Sequence, residues 1–265
     1  MARLMGIVNV TPDSFSDGGL FLAPERAIAH ARQLVADGAE LLDIGGESTR
    51  PGARAVSAEE ELARVAPVMA GLDGVDAAIS IDTSKAAVAE TALDAGAEIV
   101  NDVTALRTEP ALAGLCADRG CVVVLMHMQG TPRTMQENPT YDDVVDDVMA
   151  FLAERIKFAT GEGIAEDRIW VDPGIGFGKT VRHNLELLSR LGELRQLGRS
   201  IVVGTSRKRF IGSITDREVD DRLGGTIASS VLALRAGADV LRVHDVAEVH
   251  QAARVAETIL EAASD

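Results

Sequence analysis

Aromatic side chains are scarce in this chain: one Trp, one Tyr and six Phe in 265 residues. A core of that size must therefore be built from Val, Ile, Leu and Ala. Lysine is scarce too, confined to Lys85, Lys157, Lys179 and Lys208. With 41 acidic residues against 26 basic ones, the formal net charge is -15. That balance argues against non-specific binding to nucleic acid or to an anionic membrane, both of which need clustered positive charge. A chain this acidic that handles an anion must gather its few cations at one place. Cysteine is limited to Cys116 and Cys121, too few for a disulfide framework and without a zinc-binding spacing. A reducing, cytoplasmic setting is expected. No apolar run reaches the ~18 residues of a membrane-spanning helix. The N-terminus is expected to enter a strand within five residues, leaving no room for a signal peptide.

What is present is a repeated strand, loop and helix. Apolar β-branched runs are read as strands at about Met5–Val10, Glu40–Ile44, Ala78–Ile81, Glu98–Val100, Val122–Met126, Arg168–Val171, Ser200–Val203 and Asp239–Val243. Helices are expected at about Pro24–Asp37, from Ser57 with a capping box to Glu60, and at Ser84–Ala95, Glu109–Arg119, Tyr141–Thr160, Asn184–Leu197 and Thr226–Ala236. One more closes the chain. Gly38-Ala39-Glu40, Gly96-Ala97-Glu98 and Gly237-Ala238-Asp239 repeat one joint, a left-handed Gly between helix and strand. Eight such units predict a single α/β domain over 1–265, a closed (β/α)8 TIM barrel with its active site at the C-terminal ends of the strands. A doubly wound sheet is the alternative, but no G-x-G-x-x-G follows the first strand.

The polar residues fall in a pattern. Asn9, Asp43, Asp82, Asn101, His127, Asp172, Ser206 and His244 all stand at or just past strand C-termini, which converge on one mouth in a barrel. Helix capping accounts for single members, Asp82 before Thr83-Ser84 among them, but less readily for a whole ring. Asp82, Asn101 and Asp172 offer carboxylate and amide groups suited to a flat heterocycle with amino, ring N–H and carbonyl edges. Lys208 and Arg242 supply cations. Arg242 and His244 are two apart, hence on one face of a strand, and suit a phosphate or diphosphate. Asn9 offers a hard amide oxygen to a Mg²⁺ that also grips phosphate.

Whole blocks of the sequence resemble one family. Gly6-Ile-Val-Asn-Val-Thr-Pro-Asp-Ser-Phe-Ser-Asp-Gly-Gly19 and Gly45-Gly-Glu-Ser-Thr-Arg-Pro-Gly52 resemble the first and second loops of dihydropteroate synthases. Ser80-Ile-Asp-Thr83, Asn101-Asp-Val103, Asp172-Pro-Gly-Ile-Gly-Phe-Gly-Lys179, Ser206-Arg-Lys208 and Arg242-Val-His244 match the remaining blocks in order. The resemblance implies condensation of p-aminobenzoate with (7,8-dihydropterin-6-yl)methyl diphosphate, giving dihydropteroate and diphosphate. It implies that Asp82, Asn101, Asp172 and Lys208 hold the pterin, with Met126 and Phe177 packed near its rings. Arg242, His244 and Asn9 would hold the diphosphate, Asn9 through Mg²⁺. Thr49, Arg50 and Pro51, with Phe15 and Asp17, would close over the aminobenzoate. Asp17, Arg50 and Lys208 are the expected catalytic residues, and a homodimer is the expected assembly. Arg209 stands where some members carry a small serine.

The implied route is dissociative. Diphosphate leaves, the pterin delocalises the methylene cation, Asp17 steadies it, and the neutral aniline nitrogen attacks. This expectation rests on the absence of any readable Ser–His or Cys–His nucleophile pair. A pterin-binding methyltransferase barrel would share Asp82, Asn101 and Asp172, but would have no use for the Thr11–Gly19 loop or for Arg242 beside His244. A non-catalytic pterin-binding homologue would not need intact loops and Lys208.

Overall fold

The computed structural model describes residues 2–11, 23–49 and 52–262, with Ala23 described by its backbone alone. Phe15, Asp17, Arg50 and Pro51, and with them most of the first loop, lie outside the described residues. Among those described, eight parallel strands close in chain order: β1 (Arg3–Asn9), β2 (Leu41–Gly45), β3 (Ala78–Asp82), β4 (Ile99–Asp102), β5 (Val122–Met126), β6 (Ile169–Asp172), β7 (Ser200–Val203) and β8 (Val240–Val243). Strand β8 pairs back onto β1, Leu4 against Leu241 and Met5 against Arg242. The sheet therefore has no edge, and the doubly wound alternative falls. Helices α1 (Ala23–Ala36), α2 (Ala58–Gly71), α3 (Ala86–Asp94), α4 (Ala111–Arg119), α5 (Val144–Gly161), α6 (Val181–Ser189), α7 (Arg209–Thr215), α8 (Leu223–Arg235) and α9 (Val246–Ala262) lie between and after the strands. No helix among the described residues is long and apolar enough to cross a membrane.

Local chemistry explains where elements start and stop. The repeated joints take the left-handed backbone expected of them, with φ of +107° at Gly38, +96° at Gly96 and +98° at Gly237. Ser57 Oγ caps α2 by accepting from Glu60 N at 3.1 Å. The return half of that box is missing, because the Glu60 carboxylate turns to Arg64 instead. A full reciprocal box forms at Thr180 and His183, so α6 begins at Val181 rather than Asn184. A His in the Glu position hid it from pattern reading. The helical segment then continues only as a tighter 3-10 stretch, Leu191–Leu197. Helix α7 was not expected. Its seven residues are too few to show a helical period.

The side-chain period of two then places the site. Met5, Leu41, Ile99, Val122, Val124, Trp170, Val202 and Val240 pack together inside the barrel. Their neighbours Leu42, Ile44, Ile81, Val100, Val123, Leu125, Val171, Val203, Leu241 and Val243 pack outward with the helices. Asp43, Asn101, Asp172 and Arg242 each lie two residues beyond an inward residue of their strand, so they share its face, one step nearer the mouth. At that mouth the turn after β6 folds back onto β5. Gly174 has φ +67°, and a Cβ on it would stand 1.9 Å from the His127 carbonyl oxygen.

Gly174→Ala is therefore expected to cost about 2 kcal/mol or more. Gly114→Ala, in α4 with nothing within 4 Å of an added Cβ, is expected to be neutral or to stabilise by up to about 1 kcal/mol. Denaturant unfolding of both variants checks this, and equal midpoints would contradict the close packing of the β6 turn.

Candidate active site

A cavity of about 700 Å³ opens at the C-terminal ends of the strands. Asn9, Thr49, Asp82, Phe177, Lys208, Arg242 and His244 are all on its wall. Asn101, Met126 and Asp172 are buried at the same rim, in the row behind that wall. Every expected site residue that is described thus falls in one place. Asp17, Phe15, Arg50 and Pro51 are the expected members that lie outside the described residues.

Arg242 crosses the mouth and is tied from below. Its Nε donates to Asp43 Oδ2 at 2.6 Å and its Nη2 to Asp82 Oδ2 at 2.8 Å. Asp43 is fully buried and also accepts from Ser80 Oγ at 2.6 Å and Asn101 Nδ2 at 3.0 Å. A guanidinium has five N–H groups, so among the described residues two are spent and three remain for an incoming anion. Burial pulls the Arg242 pKa down, but Asp43 and Asp82 more than offset it, and the net shift is upward. Asp82 goes the other way for a carboxyl. Burial and the nearby Asp43 charge push it well above the usual carboxylate range, and Arg242 only partly opposes them.

The second wall carries the lysine. Lys208 Nζ donates to the Ile175 carbonyl and lies 4.8 Å over the Phe177 ring. Gly176, with φ +86°, lets it pass, since a Cβ there would be 3.2 Å from Lys208 Cδ. Burial lowers the Lys208 pKa to about 8, although Asp172 partly opposes that. Burial likewise raises Asp172, against Lys208 and against the 2.6 Å hydrogen bond that Gly174 N donates to its Oδ1. Lys208 is presented by a turn in which Arg207 has φ +56°. Asp245 grips the Arg207 side chain, and Thr226 Oγ1 accepts from its N–H at 3.0 Å. Arg209 opens α7 with its side chain exposed on the cavity wall.

Two expectations change. His127 does not face the cavity: Met126 takes the inward position, and His127 turns outward against Phe151 at 4.9 Å. There its Nδ1 meets the buried Lys179 Nζ at 2.8 Å, and the same nitrogen donates to the Phe177 carbonyl at 3.0 Å. Burial and Lys179 hold the His127 pKa down near 2, and burial likewise holds Lys179 well below the usual lysine value. Second, a Ser–His contact does exist. Ser206 Oγ lies 2.9 Å from His244 Nδ1. It also accepts the His244 backbone N–H at 3.2 Å, so it fixes the imidazole in place. The residues are far apart in sequence, and only β7 lying beside β8 brings them together.

Comparison with known proteins decides what the cavity belongs to. Residues 5–244 match the family described as pterin binding enzyme. Dihydropteroate synthase of Escherichia coli K12 is 46% identical over 261 residues, spanning 98% of this chain and 92% of the relative. The chain belongs to the dihydropteroate synthase family. The members of that family are transferases of a pterin-methyl group. Solved structures agree. Dihydropteroate synthase of Xanthomonas albilineans with 4-aminobenzoic acid superposes with a TM-score of 0.92 at 49% identity, covering 98% of this chain and 93% of that one. The same organism's enzyme in complex with 7,8-dihydropteroate gives 0.88 at 45% identity, covering 98% and 94%.

Parts of the site carried no readable role. Asp43 stood in the strand-end ring without a function, although its place two residues beyond Leu41 already set it inside. Val103, Met128 and Met135 join Met126 and Phe177 in an apolar patch that reaches the wall at Met135 and Phe177. Their place depends on the second long loop folding back, which no periodicity announces.

The Lys208 shift fixes a sign. With a folded pKa near 8 and an unfolded one near 10.5, the folded state carries its full penalty below pH 8. Above that the unfolded chain binds more protons, so folding gains with pH until about 10.5. Unfolding free energies of the parent and Lys208→Met are expected to separate in the parent's favour from pH 8 to 10.5, by at most about 3 kcal/mol. A difference independent of pH would contradict the shift.

Proposed function

We propose that this cavity joins 4-aminobenzoate to (7,8-dihydropterin-6-yl)methyl diphosphate, giving 7,8-dihydropteroate and diphosphate. The observation that carries the reading is that one cavity joins two kinds of polar group. Asp82 on its wall, with Asn101 and Asp172 buried behind, offers carboxylate and amide groups, while Arg242 and Lys208 bring cations to the same wall in a chain of net charge -15. Asp82, Asn101 and Asp172 suit the N–H edge of a pterin, and Lys208 its carbonyl side. The three unspent Arg242 N–H groups and the His244 ring, held by Ser206, suit the diphosphate.

Bond-making and bond-breaking follow. The C–O bond to diphosphate breaks with its electron pair leaving on oxygen, and the pterin ring delocalises the methylene cation. The aniline nitrogen of 4-aminobenzoate forms the new C–N bond and then sheds a proton to diphosphate or solvent. No covalent intermediate on the protein is required, and Ser206 is occupied in holding His244. Asn9 and Thr11 lie on the wall beside the diphosphate cations. Among the described residues no group of three or more His, Cys, Asp and Glu could hold a metal. That donor set fits Mg²⁺, which takes one or two protein oxygens and keeps phosphate and water for the rest. Held at Asn9, Mg²⁺ would supply charge to the leaving diphosphate.

The direct test is diphosphate release with both substrates and Mg²⁺. Release is expected only with all three, and release without aminobenzoate at the full rate would overturn the reading. Asp172→Asn is expected to weaken pterin binding by roughly 10–100-fold, the cost of an unmatched buried hydrogen bond. Arg242→Ala is expected to lower turnover with far less effect on a pterin lacking the diphosphate. Titration calorimetry beside steady-state kinetics separates the two, and exchanged effects would refute the assignment.

The cytoplasm is the compartment this reading supports, with both cysteines free thiols. Two copies are proposed to meet through α8 and α9. These helices pack on each other and expose Leu232, Val255 and Ile259 at 59, 57 and 64%. Such side chains on adjacent helices form the apolar patch that a stable interface needs. Ile259→Asp with Leu232→Asp is expected to convert a dimer to a monomer in sedimentation, and a parent that sediments as a monomer at micromolar concentration would refute it.

A further inference from the structure

Loop two leaves β2 at Gly45 and reaches the cavity wall at Ser48 and Thr49. It is tied down on the way. Gly46 lies against α2, where an added Cβ would be 2.9 Å from Glu61 Cγ. Its carbonyl accepts from Arg64 Nη1 at 2.6 Å. The next residue, Glu47, accepts from Val56 N at 3.2 Å through Oε1 and from Lys85 Nζ at 2.5 Å through Oε2. Lys85 comes from the connection after β3, three residues beyond Asp82, and its backbone N–H donates to Thr83 Oγ1 at 3.2 Å. The same ammonium also meets Glu61 Oε2 at 2.5 Å. Glu61 is fully buried, and among the described residues its Oε1 has no hydrogen-bond partner.

One cation thus holds two carboxylates from two different elements, one of them with no access to water. Opposite charges in such a place are strongly coupled, and like charges left together repel. Without Lys85, Glu61 could not be hydrated, and Glu47 would be the one to move. Glu47 is only two residues from Thr49. We propose that Lys85 is a positioning residue for the known reaction: by clamping Glu47 to Glu61 it fixes Thr49 at the aminobenzoate side of the cavity. The inference rests on the proposed function and on the role for Thr49, closing over the aminobenzoate, that the family resemblance implies. Lys85 does not line the cavity and acts through Glu47.

The test uses the full chain with Mg²⁺ and both substrates. Lys85→Met is expected to raise KM for 4-aminobenzoate roughly tenfold or more, as displacement of a positioning group does. The Kd of the pterin diphosphate measured without aminobenzoate should stay within about threefold. Lys85→Arg should recover most of the loss, because it keeps the charge. Lys85→Met with Glu61→Gln should recover part of it, because the buried charge is gone, and this pair keeps the test open if Lys85→Met alone does not fold. The inference is overturned if aminobenzoate KM is unchanged in Lys85→Met, if pterin Kd rises in step with it, or if Glu61→Gln gives no relief. Thr49→Ala in the unaltered chain separates the two levels. If it leaves aminobenzoate KM unchanged, the reading of this wall fails. If it raises KM while Lys85→Met does not, only the role of Lys85 fails.

Discussion

The barrel mouth is arranged around a guanidinium that must not be left without its counter-ions. Arg242 sits inside the ring of strands, where an unpaired charge would cost several kcal/mol. Asp43 and Asp82 meet it at 2.6 and 2.8 Å. Asp43 in turn needs its remaining lone pairs filled, and Ser80 and Asn101 fill them. Four strands, β2, β3, β4 and β8, are thereby fixed to one another through side chains as well as through the sheet. The same network fixes the plane of the Arg242 guanidinium. Stability and function are not separable at this point. Any substitution that loosens the anion site also strands a buried charge.

The same logic explains how an acidic chain can hold an anion. The cations on the cavity wall are not free charges. The inner ones are fastened from behind, Arg242 by two carboxylates and Lys208 by a carbonyl and an aromatic face, and Ser206 holds the His244 ring beside them. Fastening keeps them from folding onto the many surface carboxylates and lowers the ordering cost when a ligand arrives. Lys85 does for two carboxylates what Asp43 and Asp82 do together for one guanidinium. In both places a charge of one sign is shared between elements distant in sequence, and that sharing sets where a loop or side chain stands.

Much of this could be read before any coordinates. Strand ends followed by Asn, Asp or His, and helix ends followed by Gly-Ala, are local signals, and both the eight-unit barrel and its polar rim follow from them. Parity along each strand then separates Asn101 from Asp102 and Met126 from His127. Asp102 faces away and organises its own turn, accepting from Thr104 N and Leu106 N at 2.8 and 2.7 Å. Other contacts were out of reach. Arg242 meets Asp43 across 199 positions, Lys179 meets His127 across 52, and Ser206 meets His244 across 38. No local period encodes which of several strand-end groups touch. Only the stagger of a closed barrel decides that.

Those long-range contacts also give the cavity its character. Burial moves Asp82 and Asp172 up and Lys208 down, each toward neutrality. Each of these groups keeps a protein partner, Arg242 for Asp82, the Gly174 N–H for Asp172 and the Ile175 carbonyl for Lys208, but has given up water that would favour its charged form. A flat ligand with N–H groups on one edge and a carbonyl on another returns those hydrogen bonds and favours the charged forms again. Part of the ligand's affinity is therefore stored beforehand in the fold, as charges kept dry. That storage requires rigid supports, which is why the acids stand on strand ends, the lysine on a turn clamped by Asp245, and the arginine on a fully buried carboxylate. A mobile support would let water in and release the stored free energy before any ligand arrived.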